Sequence, residues 1–101
     1  MIIVVTSDLR LTLEDPEDFR RFKVKVDAAA EPETVAAALA PLAGLEDRDT
    51  AWVDEAALRR LGPEGDAWQA GLSKMIAAAA PHGWVHPQTG AIRAHVEWTA
   101  A

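Results

Sequence analysis

The chain has 101 residues, sixteen acidic and ten basic side chains for a formal net charge of −6, and no cysteine. That length implies one domain over 1–101, and folding at this size buries roughly two thirds of the unfolded surface, enough for a core without covalent staples. The missing cysteine excludes disulfides and thiolate metal sites, and the acidic balance argues against nucleic acid, whose recognition needs a basic footprint.

Ile2-Ile3-Val4-Val5 is a continuous apolar run, which suits a strand covered on both faces. Four apolar residues without a basic flank are too few for a secretory signal. No stretch reaches the roughly eighteen apolar residues of a membrane span, so a cytoplasmic protein is expected. Leu9, Leu11 and Leu13 alternate with Arg10 and Thr12 and would share a face with Ile3 and Val5. One bent strand, or two with a break at Ser7-Asp8, fits equally well.

Asp15-Pro16-Glu17-Asp18 is a punctuator, read as a short capped helical turn carrying Phe19. Its carboxylates lack the ligand spacing of a calcium loop. Phe22, Val24 and Val26 alternate with Lys23, Lys25 and Asp27, a strand with a charged outer face. Pro32 opens a helix with Val35, Leu39 and Leu42 inward, and Pro41 ends or kinks it. After a charged loop at 46–49, Ala51-Trp52-Val53 is a brief strand and Asp54 caps a helix holding Leu58 and Leu61. Trp52-Val53-Asp54-Glu55-Ala56-Ala57-Leu58 resembles the strand-into-helix step near the end of Nudix hydrolases. That similarity covers about ten residues of a common capping pattern. The glutamate-rich box those enzymes use for metal is absent, so no activity is carried over.

Gly62-Pro63 reads as a stop followed by a start. Trp68, Leu72, Met75, Ile76 and Ala79 then form one helical stripe that Pro81 ends. With alanine supplying little volume, the four tryptophans are expected to be large core pieces. The chain closes with Gly83-Trp84-Val85-His86, a break at Pro87-Gln88-Thr89-Gly90, and a strand from Ala91 to Trp98. The expected fold is α+β: a mainly antiparallel sheet of about five strands, about three helices on one face, and a C-terminal β-hairpin.

That hairpin holds all three histidines. Its alternation puts Ile92, Ala94, Val96 and Trp98 on one face with Val85, and His82, Trp84, His86, Arg93, His95 and Glu97 on the other. A four-residue loop at 87–90 sets His86 opposite Ala91, Trp84 opposite Arg93 and His82 opposite His95. A two-residue turn at Thr89-Gly90 shifts the pairing and preserves the faces. Three readings are open for the second face. It is a solvated surface, with Trp84 under Arg93 as a cation–π pair. It is a binding or subunit surface, for which Trp and Arg are the usual anchors. Or it is a chemical site, with the histidines and Glu97 as metal ligands or one histidine as a general base oriented by Glu97.

There is no glycine-rich phosphate loop and no Gly-x-Ser-x-Gly elbow, so no cofactor is expected. The functional expectation is a binding module acting as a homodimer, because open sheet edges must be paired, covered or charged. Its partners would be a second copy and a small-molecule ligand, not nucleic acid or membrane. The competing expectation is a cofactor-free isomerase- or hydrolase-like enzyme using the histidine face on an organic acid or carbonyl substrate. It requires at least two of the imidazoles to line one concave pocket.

Overall fold

Ile3 and Val5 leave the first strand on one side and Val4 on the other, and all three are buried. The computed structural model describes residues 1–99. In it β1 (Ile2–Val5) pairs antiparallel with β2 (Leu11–Glu14), Ile3 opposite Leu13 and Val5 opposite Leu11. They are two strands, joined by a turn in which Thr6 N–H donates to the Arg10 carbonyl and Leu9 adopts φ 64°. Leu9 therefore leaves the apolar face it was expected to share and stands exposed. The acidic segment after β2 is a turn closed by Asp18 N–H to the Asp15 carbonyl at 2.9 Å, not a helix.

β3 (Lys23–Val26) lies on the other side of β1 and runs parallel to it. β6 (Ile92–Trp98) runs parallel to β3, β5 (Thr50–Val53) antiparallel to β6, and β4 (Ala43–Leu45) antiparallel to β5. The order is β2-β1-β3-β6-β5-β4. The sheet is thus six-stranded and mixed, which corrects the expectation of five mainly antiparallel strands. Alternation reports which face a side chain takes and carries no sign for strand direction. Val24 and Val96 would read the same in either sense. β4 is only three residues long and contains Gly44, too short to show a period.

Helices α1 (Pro32–Leu39), α2 (Glu55–Leu61) and α3 (Asp66–Ala79) complete an α+β fold. Val35, Leu39, Leu58, Trp68 and Leu72 join one buried cluster with Ile3, Val5, Val24, Val26, Ala51, Val53, Ile92, Ala94 and Val96. By register those strand residues all lie on one face of the sheet. The opposite face carries Lys23, Lys25, Thr50, Trp52, Arg93, His95 and Glu97.

The helix boundaries follow local chemistry. Pro41 forces Ala40 into the extended region, φ −67° and ψ 142°, so α1 stops at Leu39. Leu42 is still buried, but as the entry to β4 and not on the helical stripe. The Asp54 carboxylate accepts the Ala57 N–H at 2.9 Å and caps α2. Pro63 does not open α3, which starts at Asp66 after Gly65 at φ 111°. Gly62 has an ordinary φ of −76°, and its small size serves packing: a Cβ there would lie 2.1 Å from the Trp68 ring. Trp68 also donates its indole N–H to the Pro16 carbonyl at 2.8 Å. It is the only one of the four tryptophans in the core. Trp52 and Trp98 are half-buried and Trp84 is 45% exposed, against the expectation that all four would be core pieces.

The C-terminal hairpin is reduced to one bridge, Val85 to Ile92. β3 takes the same side of β6 from His95 onward, Lys23 opposite His95 and Val26 opposite Trp98. An edge of β6 already paired to β3 leaves the hairpin arm only Ile92 and Arg93. Within that short contact the register is the four-residue one. His86 N–H donates to the Ala91 carbonyl and Arg93 N–H to the Trp84 carbonyl, both at 2.8 Å.

Candidate functional site

α3 runs out at Ala79 into a single 3-10 turn, Ala80–His82, and Gly83 follows in the left-handed region at φ 77°. Glycine reaches that conformation without a Cβ penalty. The chain therefore doubles back, with Gly83 N–H on the Ala80 carbonyl at 3.1 Å and Trp84 N–H on the Ala79 carbonyl at 3.3 Å. His82 belongs to this turn, not to a strand, and so is not the cross-strand partner of His95.

A cleft of about 490 Å³ opens where the arm 83–86 and the start of β3 meet along β6. Phe19, Arg20 and Phe22 contribute from the segment before β3, and Met75, Ala78 and Ala79 from the end of α3. His82 and Trp84 come from the turn and arm, and Ile92, Arg93 and His95 from β6. The volume lies in the range of small-molecule sites, roughly 300–1,000 Å³. Among the described residues its lining has two arginines, two histidines, two phenylalanines and one tryptophan, and no carboxylate. In a chain of net charge −6 this is a local concentration of cationic and aromatic groups.

Four of the six residues expected on one surface therefore share this cleft: His82, Trp84, Arg93 and His95. The His82 ring stacks on Trp84 with centroids 4.4 Å apart and planes 20° from parallel. That stacking takes the place expected for Arg93; the cation set over an indole is Arg48, 4.6 Å from the Trp98 ring. His86 lies outside the cleft. Its ring meets Trp52 edge-on at 5.2 Å, and its Nδ1 accepts the Gln88 and Thr89 N–H groups at 3.2 and 3.4 Å. Those bonds order the 87–90 turn. Glu97 is also elsewhere, accepting from Lys23 Nζ at 3.0 Å. That hydrogen bond, more than the burial opposing it, holds the Glu97 carboxyl below the ordinary carboxylate range.

Glu97 is thus engaged by a lysine and does not orient a histidine. Among the described residues no three His, Asp or Glu side chains gather closely enough to hold a metal ion. The lining offers groups suited to binding. Guanidinium groups offer fixed forks to a carboxylate or phosphate, and the phenyl and indole rings offer apolar planes.

Phe19, Arg20, Phe22, Met75, Ala78 and Ala79 were not foreseen. Met75 and the alanines lead directly into His82 in sequence, and a helix ending in small residues beside a histidine is a usable signal. Arg20 and Phe22 carry none, because the parallel pairing of Lys23 with His95 brings them in across a long sequence separation. No family model matches the chain, and neither does any curated protein or solved structure. Among the described residues no helix is long and apolar enough to cross a membrane.

Proposed function

We propose that the protein is a cytoplasmic binding module acting as a homodimer, and that the cleft takes a small organic anion with a planar apolar body. The lining of the cleft carries this reading: Arg20 and Arg93 for the charge, Phe19, Phe22 and Trp84 for the plane, and no carboxylate to repel it. His82 and His95 extend the polar side, while His86 and Glu97 support the surrounding structure. The homodimer is supported by the two open sheet edges, β2 and β4.

The test compares 2-naphthoate with its neutral alcohol, 2-naphthalenemethanol, by calorimetry and by amide and indole chemical shifts. Naphthoate is expected to bind and to shift the Trp84 indole and the Ala78 and Ala79 amides. Arg93→Gln and Arg20→Gln are each expected to weaken it about tenfold, the scale of one charge-assisted hydrogen bond. Equal binding of the alcohol, or shifts mapping away from the cleft, would overturn the reading.

A second reading has one observation in its favour. His82 and His95 line the same cleft, the arrangement a cofactor-free isomerase or hydrolase would need. Binding is the better supported, because neither imidazole is oriented by a carboxylate and Glu97 is held by Lys23. NMR titration of the histidines separates the two, since an imidazole set for acid–base work titrates away from the ordinary histidine value.

A further inference from the structure

Among the described residues β2 closes one end of the sheet and has β1 on one side only. Across the β1–β2 turn, Thr6 N–H donates to the Arg10 carbonyl at 2.8 Å. In an antiparallel ladder the direction of the backbone groups alternates along the strand. Arg10, Thr12 and Glu14 therefore turn theirs toward β1, and Leu11 and Leu13 turn theirs outward. Each free edge presents two N–H and two C=O groups, bounded by Leu9 at φ 64° and Asp15 at φ 45°, where the extended backbone ends.

We propose that this edge is the seam of the homodimer: two copies pair antiparallel through β2 about a twofold axis at Thr12. The inference rests on the homodimer reading above and supplies its interface. Placing Thr12 opposite Thr12 sets Leu11 opposite Leu13 twice, and all four outward groups of each chain are used. Sliding to Leu11 opposite Leu11 leaves half of them unpaired and sets Glu14 against Asp8. Sliding the other way sets Leu11 against Asp15, which is not extended.

The side chains are self-complementary in the same register. Leu11 and Leu13, half-buried in one copy, meet on the helix-covered face and continue the core across the seam. On the other face Thr12 meets Thr12, and each Arg10, exposed and 3.3 Å from Asp8 of its own chain, comes opposite a Glu14 of the other copy. Threonine pairs and opposite charges directly across a strand are both stabilising. The two sheets become one continuous sheet. A contact of four backbone hydrogen bonds makes a weak dimer.

The test uses light scattering over a concentration series together with a chain that has no cysteine of its own. Thr12→Cys places two thiols in a non-hydrogen-bonded pair with Cα atoms roughly 4.5 Å apart, within disulfide range. Mild oxidation is expected to give a covalent dimer for Thr12→Cys and not for the exposed helix control Glu33→Cys. Arg10→Glu and Glu14→Arg are each expected to raise the dimer Kd roughly tenfold, and the double exchange to restore it. A monomer at every concentration overturns the seam and the homodimer reading together. A dimer indifferent to both charge reversals, with no Thr12→Cys cross-link, overturns the seam and leaves the homodimer standing.

Discussion

Lys23 and Glu97 show how a single pair sits on the open face of this sheet. They come from β3 and β6, 3.0 Å apart at Nζ and Oε2, and the lysine hydrogen bond depresses the carboxyl pKa. A carboxylate whose folded pKa lies below its unfolded value stabilises the fold above the unfolded pKa, and that contribution is lost as pH falls through the depressed folded value. Lys23→Met is therefore expected to return the Glu97 titration to the ordinary carboxylate range. Carbon-detected NMR of the carboxyl measures this directly, and an unmoved titration would assign the shift to something other than Lys23. The expected effect on stability is small, because both groups are partly exposed and such pairs are screened by solvent.

At the scale of elements, the contact that joins α2, α3 and the 15–18 turn is Trp68. Its ring fills the space over Gly62, its indole N–H reaches Pro16, and Phe19 lies tilted at 6.5 Å. Gly62→Ala is expected to destabilise the fold by about 1–3 kcal/mol, the usual cost of overpacking a filled core. The backbone is not the reason, since φ is −76° there. Denaturant melts of Gly62→Ala, Trp68→Leu and the double variant check this. The steric account requires the double variant to lose less than the sum, because the smaller side chain makes room for the methyl group.

For the whole molecule, the arrangement of the sheet decides how the chain holds together. Its centre is β1, β3 and β6, so residues 2–5, 23–26 and 92–98 from opposite ends of the sequence meet in parallel pairs. Side chains of these strands from Ile3 to Val96 are almost fully buried on the helix-covered face, with Trp98 at its end half-buried. The edges are short, four residues in β2 and three in β4. Native-state hydrogen exchange is therefore expected to be slowest in β3 and β6 and fastest among the strands in β2 and β4. If β4 and β5 exchange as slowly as β3, the centre of stability lies elsewhere. The same topology creates the cleft. β6 shares one side between β3 and the 83–86 arm, and the gap between them is where His82, Trp84, Arg93 and His95 converge with Arg20 and Phe22.

Face membership along β6, the stop of α1 before Pro41 and the cap of α2 were legible from the residues alone; the start of α3 at Asp66 and the turns that hold Leu9 and His82 were not. Alternation in Ile92–Trp98 places apolar and polar side chains on opposite faces whatever the neighbours are, and the buried and exposed positions follow it from Ile92 to Val96. The helical period that aligns the stripe from Trp68 to Ala79 and the Asp54 cap on Ala57 both rest on hydrogen bonds spanning three or four residues, so they too are set locally. The tertiary structure decided everything that depends on which strand lies beside which. Sequence periodicity has no sign for direction and no term for long-range neighbours. It could not show that β3 would run parallel to β6 and displace the hairpin arm. It gathered six residues on one surface; long-range pairing left four of them in a cleft, gave Glu97 to Lys23 and brought in Arg20 and Phe22, while the local 87–90 turn took His86.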